Sequence, residues 1–168
     1  MSIKNQNLFF NIGKESYLKT SLVKAVVDSQ TAIGKKLVKE AKETEKEVFN
    51  LVSKTEKRLS VVWTFSGDVY LTKYKSRTLV SRLEEKGLKL IKVGPGLYLP
   101  VDHIISFFSF GNTTAARVRM EEERKMSFVR KSQKRKTTLL LSDGEVVSVA
   151  PEPSKILESI GEVEKSKG

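Results

Sequence analysis

Arg130-Lys131-Ser132-Gln133-Lys134-Arg135-Lys136 runs into Thr137-Thr138-Leu139-Leu140-Leu141, the turn Ser142-Asp143-Gly144, and then Glu145-Val146-Val147-Ser148-Val149. Two strand-like runs joined by Asp-Gly predict a β-hairpin. Five of the seven leading residues are basic, so a dense positive cluster sits on the rim of that hairpin. The arrangement occurs once before. Lys54, Lys57 and Arg58 lead into residues 59–65, then Ser66-Gly67-Asp68, then Val69-Tyr70-Leu71-Thr72.

The echo extends outward in both directions. Asn11-Ile12-Gly13, Tyr17-Leu18 and the apolar run 22–27 are answered by Lys92-Val93-Gly94, Tyr98-Leu99 and 103–108, at an offset of 94 − 13 = 81. Gly67 answers Gly144 at 144 − 67 = 77, so the first copy is four residues longer before its hairpin. One unit is written twice.

Each copy begins with two short strands, 9–12 with 16–19 and 89–93 with 97–101. An apolar strand follows, 23–28 or 104–110, whose unbroken apolar character predicts coverage on both faces. Next comes a helix. In the first copy Ser29 or Thr31 caps it, with Ile33, Leu37 and Ala41 at a spacing of four and Gly34 weakening it. In the second, Asn112 or Thr113 caps it, followed by Ala115, Ala116 and Val118. Short strands at 48–52 and 128–129 precede the basic turns and hairpins. A terminal helix closes each copy. Ser76 is predicted to cap the first, burying Leu79, Val80 and Leu83. Pro153 and Ser154 open the second, burying Ile156, Leu157 and Ile160. The predicted organisation is α+β: a module at 1–87, a second at 88–161, and a polar tail at 162–168.

The chain has 168 residues and a net charge of +11, with 31 basic against 20 acidic side chains. Residues 8–86 carry 16 basic and 10 acidic side chains, and residues 87–168 carry 14 and 10, so both halves are basic. An excess of this size favours a polyanionic partner, nucleic acid before an anionic membrane surface. Cysteine is absent. That excludes disulfides, thiolate zinc sites and cysteine nucleophiles, and fits a reducing cytoplasm. No run approaches a transmembrane span, and the N-terminus does not read as a signal peptide. A cytoplasmic protein without a membrane partner is expected.

Catalytic signals are weak. His103 beside Asp102 is half a dyad without a third partner, and the other copy has Ser21-Leu22 there. Gly94-Pro95-Gly96 lacks the Lys-Ser/Thr of a phosphate loop and reads as a turn. Glu121, Glu122 and Glu123 on a helix point about 100° apart and do not converge on a metal. Neither an enzyme, a cofactor nor a small-molecule substrate is expected.

The basic turn is the stronger signal. Arg130, Lys131, Lys134, Arg135 and Lys136 neutralise phosphates, giving salt-sensitive binding. Ser132, Gln133 and Thr137 add neutral hydrogen bonds, and Arg117, Arg119, Arg124 and Lys125 enlarge the patch. Tyr17, Tyr98, Phe107, Phe108, Phe110 and Phe128 lie in apolar patterns and are predicted to be core. Phosphate-led binding of a duplex is therefore favoured over base stacking on a single strand.

These residues carry a family likeness. Val93-Gly94, residues 98–105, Lys134-Arg135-Lys136, residues 139–143, Val146-Val147 and residues 153–160 resemble the RemA family of bacterial DNA-binding regulators. Asn11-Ile12-Gly13, residues 22–27, Lys57-Arg58, Val61-Val62, Val69 and residues 78–83 show the same likeness. The chain thus looks like two RemA-type modules in tandem. The resemblance implies an α+β module akin to the LytTR DNA-binding domain, assembly into closed rings, and DNA contact through arginines. Those arginines lie in an Arg-Arg-Thr-Arg run before the hairpin and at one position before the buried strand. Here the run is Gln133-Lys134-Arg135-Lys136 and Glu56-Lys57-Arg58-Leu59, and the single position is His103 and Leu22. The DNA-contacting set expected from the likeness and the charge together is His103, Arg130, Lys131, Gln133, Lys134, Arg135 and Lys136, with Lys57 and Arg58 in the first copy.

The expectation is a non-enzymatic regulatory or architectural protein that binds duplex DNA as a ring-like homo-oligomer. A scaffold whose basic surface is incidental, and an RNA-binding protein, are the rival readings.

Overall fold

The computed structural model describes residues 8–109, 127–128 and 136–165. The chain is α+β and folds as two compact units, residues 1–90 with 96–98, and residues 91–95 with 99–168. The helix expected around Ala115, Ala116 and Val118, with its flanking arginines, lies outside the described residues, as does Phe110.

The first unit opens with β1 (Phe9–Gly13) and β2 (Ser16–Lys19), an antiparallel hairpin. A 3-10 turn at Thr20–Leu22 leads into β3 (Val23–Asp28), followed by α1 (Ala32–Glu43), β4 (Val48–Asn50), β5 (Ser60–Thr64), β6 (Val69–Thr72) and α2 (Ser76–Glu85). The strands run in the order β4-β6-β5-β3, with β4 parallel to β6 and the other pairs antiparallel. Tyr98 and Leu97 pair antiparallel with Val26 and Val27 on the remaining edge of β3. Strand β3 therefore has a partner on each side and helices near by, and five of its six residues are buried, as its apolar run predicts. The core joins Leu79, Val80 and Leu83 of α2 to Phe10, Ile12, Leu18, Val26 and Val62. Each such side chain contributes about 1.5–3 kcal/mol by leaving water.

Of the two capping candidates for α1, Thr31 is the cap: its hydroxyl accepts from Gly34 N at 3.1 Å. Ser29 instead donates to the Arg58 carbonyl at 2.6 Å. Gly34 is more than a weak helix former. A Cβ there would lie 2.4 Å from the Asp28 carbonyl oxygen, so the close approach of α1 to the end of β3 requires glycine. Ser76 does not cap α2, contrary to expectation. Lys75 holds the N-cap position without a side-chain bond, while the buried Ser76 hydroxyl donates to Asp28 Oδ1 at 2.5 Å and meets the Ser60 hydroxyl at 3.0 Å. The hydroxyl joins the helix to two strands instead of closing its first turn.

Next along the chain come β7 (Leu90–Gly94) and β8 (Leu97–Pro100). The second unit continues with a 3-10 turn at Val101–His103, β9 (Ile104–Ser109), β10 (Ser127–Phe128), β11 (Thr137–Leu141), β12 (Val146–Val149) and α3 (Pro153–Lys165). Its sheet runs β10-β12-β11-β9. The pairing repeats that of the first unit residue for residue. Val26 faces Val62 as Phe107 faces Leu139, and Asp28 faces Ser60 as Ser109 faces Thr137. The starts of β3 and β9 differ by 104 − 23 = 81, and those of β5 and β11 by 137 − 60 = 77. The register irregularity early in β3, between Val23 and Ala25, recurs in the β9 pair between Leu140 and Leu141.

Two expectations fail in the second unit. Strand β9 is not covered on both faces: its residues are half-buried or exposed, and it is the edge of its sheet among the described residues. Leu157 is exposed, whereas Ile156 on the same helix is buried. The final helix runs to Lys165, so residues 162–165 are helical. In the first unit Tyr17, expected in the core, is exposed; alternation along β2 turns Leu18 inward and Tyr17 out.

Candidate nucleic-acid interface

The antiparallel register decides which residues meet at the basic end of the first unit. With Asp28 opposite Ser60, the segment leaving β3 must run beside the segment entering β5. Ser29 Oγ and Gln30 Nε2 accordingly donate to the Arg58 carbonyl, at 2.6 and 3.4 Å, and Leu59 N donates to the Thr72 carbonyl at 2.8 Å. These bonds fix the backbone and leave the Arg58 and Lys57 side chains exposed. Ser29, Gln30, Gly34, Lys35 and Arg58 line a cleft of about 270 Å³ together with Val38, Val61 and Leu71. Lys35 and Gln30 therefore join Arg58 in one polar site. Charge clusters in the sequence do not reveal them, since Gln30 and Lys35 precede Arg58 by 58 − 30 = 28 and 58 − 35 = 23 residues; the predicted pairing of the two strands was the signal available.

Glu56 does not face outward among the cations. Its Oε1 accepts from Ser53 N at 3.1 Å, and its Oε2 lies 2.9 Å from Lys73 Nζ. The hydrogen bond from Lys73, then those from Ser53, hold its carboxyl down to about 2, and the same partnership raises the Lys73 ammonium. The Glu56 charge is thus paired with the Lys73 ammonium. The carboxylate instead shapes the turn that presents Lys57 and Arg58.

In the second unit Lys136 enters β11, with its N–H donated to the Val149 carbonyl at 3.1 Å and its ammonium 3.6 Å from Glu152. It is exposed, and the ion pair is solvated, so it contributes little and remains open to exchange for a phosphate. Arg130, Lys131, Gln133, Lys134 and Arg135 lie outside the described residues.

His103 lies at the other end of β11. Its Nδ1 is 3.0 Å from Ser142 Oγ, and its carbonyl accepts from Ser142 N at 2.8 Å. The length of β11 separates Ser142 from Lys136, roughly 20 Å at about 3.4 Å per residue. His103 and Lys136 are therefore not brought together within the unit. Burial lowers the His103 pKa, against the opposing pull of Asp102 and Asp143, which favours the neutral imidazole at pH 7. In the first unit, Leu22 occupies the same place beside Phe65.

No group of three or more acidic or histidine side chains that could hold a metal ion occurs among the described residues. No helix among them is long and apolar enough to cross a membrane.

Residues 9–83 match the model of a family described as RemA-like, extracellular matrix regulatory protein A-like. The match spans the first unit from β1 into α2. No curated protein matches the chain.

Proposed function

We propose, from the match of residues 9–83 to the RemA-like family model, that the chain is a non-enzymatic, cytoplasmic regulatory or architectural protein that binds duplex DNA. The observation that carries this reading is the construction of the basic end of the first unit. Lys57 and Arg58 are exposed on a loop held by Ser29, Gln30, Ser53 and Lys73, beside Lys35 and a cleft. Cations on a fixed backbone meet phosphates at a defined spacing without first having to be ordered.

The second unit is a further copy of the same module in this reading, since its strands repeat the register of the first. Its run Gln133-Lys134-Arg135-Lys136 then corresponds in sequence, at the offset of 77, to Glu56-Lys57-Arg58-Leu59. The protein acts as a ring-like oligomer, placing many such turns along one duplex. A gel-shift titration of a duplex across salt, with duplex RNA as competitor, tests the reading. Binding that weakens steeply with salt supports it. Absence of binding contradicts it, and preference for RNA replaces DNA by RNA.

A further inference from the structure

Two faces are open among the described residues, and the repeat pairs them. Within the first unit, Tyr98 and Leu97 add to the edge of β3, and the Asp28 N–H donates to the Gly96 carbonyl at 2.8 Å. Leu88, Leu90 and Tyr98 pack against the core cluster that contains Val80. Subtracting the offset of 81, the counterparts of Leu90 and Tyr98 are Phe9 and Tyr17. Leu90 is 5% exposed, but Phe9 is 46% and Tyr17 62% exposed.

The receiving face shows the complementary defect. The counterpart of β3 is β9, an edge strand among the described residues. Subtracting 77, the counterpart of Leu157 is Val80, which is 7% exposed where Leu157 is 63% exposed. The apolar surface that Leu88, Leu90 and Tyr98 cover in the first unit thus has an uncovered equivalent in the second. The hairpin surface able to cover it is uncovered in β1–β2.

We propose that a second copy of this chain supplies the missing strand, its β2 adding antiparallel to β9 so that chains join head to tail. The expected register, transferred from Val26–Tyr98 and Val27–Leu97, sets Phe107 opposite Tyr17 and Phe108 opposite Ser16. One pair of substitutions fits this contact. A Cβ on Gly96 would lie 2.3 Å from Asp28 Oδ2, so that junction requires glycine. At the intermolecular junction Glu15 replaces Gly96 and Ser109 replaces Asp28. The added side chain meets a shorter, neutral one, and two carboxylates do not face each other.

Strand addition satisfies edge N–H and C=O groups while the hairpin buries apolar surface. Different surfaces meet on the two partners, so the contact is heterologous and propagates until it closes. The inference rests on the oligomeric part of the function proposed above and is independent of DNA binding.

The test uses the full chain without DNA, with mass measured by light scattering. Wild type is expected to exceed one chain. Tyr17→Glu and Leu157→Glu each replace an exposed side chain, so both fold, as circular dichroism verifies, and each alone is expected to be a single chain. Mixed in equal amounts they are expected to form a pair, because each retains the end that is altered in the other. Because the chain has no cysteine, Tyr17→Cys/Phe107→Cys reports the register directly, and oxidation is expected to yield a ladder of linked chains. A monomeric wild type overturns both the assembly and this contact. An assembled wild type whose two single variants also assemble, whose mixture stays monomeric, or whose cysteines fail to link overturns this contact alone.

Discussion

Glu56 Oε2 lies 2.9 Å from Lys73 Nζ, so the acidic residue embedded in the first basic run is a tether of that run and not an outward charge. The tether has a pH signature. Its carboxyl is held down to about 2 by Lys73 and Ser53, against 4.5 for the free group. A carboxyl with a depressed folded pKa stabilises fully above its unfolded value and loses that contribution as pH falls from about 4.5 toward about 2. The Glu56 side-chain carbon resonance is therefore expected to titrate near pH 2, and Lys73→Ala to move the midpoint upward. An unchanged midpoint in Lys73→Ala would remove the tether.

Glu56→Arg adds positive charge where the resemblance expects it, yet it also deprives Ser53 N of its acceptor and sets two cations together at Lys73. Its expected effect is a lower Tm with a disordered turn, and no gain in duplex affinity. Tighter binding with an unchanged Tm would show that the added charge outweighs the lost tether.

Much of the fold was legible in the sequence because it depended on local pattern. The strand 23–28, the Asp-Gly and Gly-Asp turns and the placement of Leu79, Val80 and Leu83 follow from runs of apolar residues and turn chemistry. Ser76, Tyr17 and Leu157 were not legible. What each meets depends on an element distant in sequence or on which face of a strand or helix is left uncovered. The same holds for the site: Lys57, Arg58 and Lys136 announce themselves by charge, whereas Gln30 and Lys35 enter through strand register, and His103 is set apart by it.

Gly34 offers a test in which helix propensity and packing oppose each other. Alanine is favoured over glycine in a helix by about 1 kcal/mol. Its Cβ would sit 2.4 Å from the Asp28 carbonyl oxygen, and a backbone clash of that kind typically costs about 1–3 kcal/mol. Gly34→Ala is expected to destabilise the protein in urea unfolding. A stabilised variant would mean that α1 moves freely off β3.

His103 is held neutral by burial, with its pKa below the usual 6.5. A histidine whose folded pKa is depressed loses stability as pH falls below its unfolded pKa, because the unfolded chain takes up the proton first. Its ring resonances are expected to titrate below pH 6.5, and duplex affinity to stay flat between about pH 8 and 7, where a neutral imidazole carries no charge. Affinity that rises as pH falls across that interval would make His103 a charged phosphate contact.

The proposal that basic turns bind duplex DNA is tested most directly by titrating one duplex across salt with wild type, Lys57→Ala/Arg58→Ala and Lys134→Ala/Arg135→Ala. Removing a cation that neutralises one phosphate lowers the salt slope by about one unit. Both variants are expected to bind more weakly with a shallower slope, and the second to be weakened more, because Arg130, Lys131 and Lys136 flank its site with further positive charge. Equal weakening would contradict the difference between the two turns, and unchanged affinity and slope in both variants would contradict the assignment of DNA binding to them.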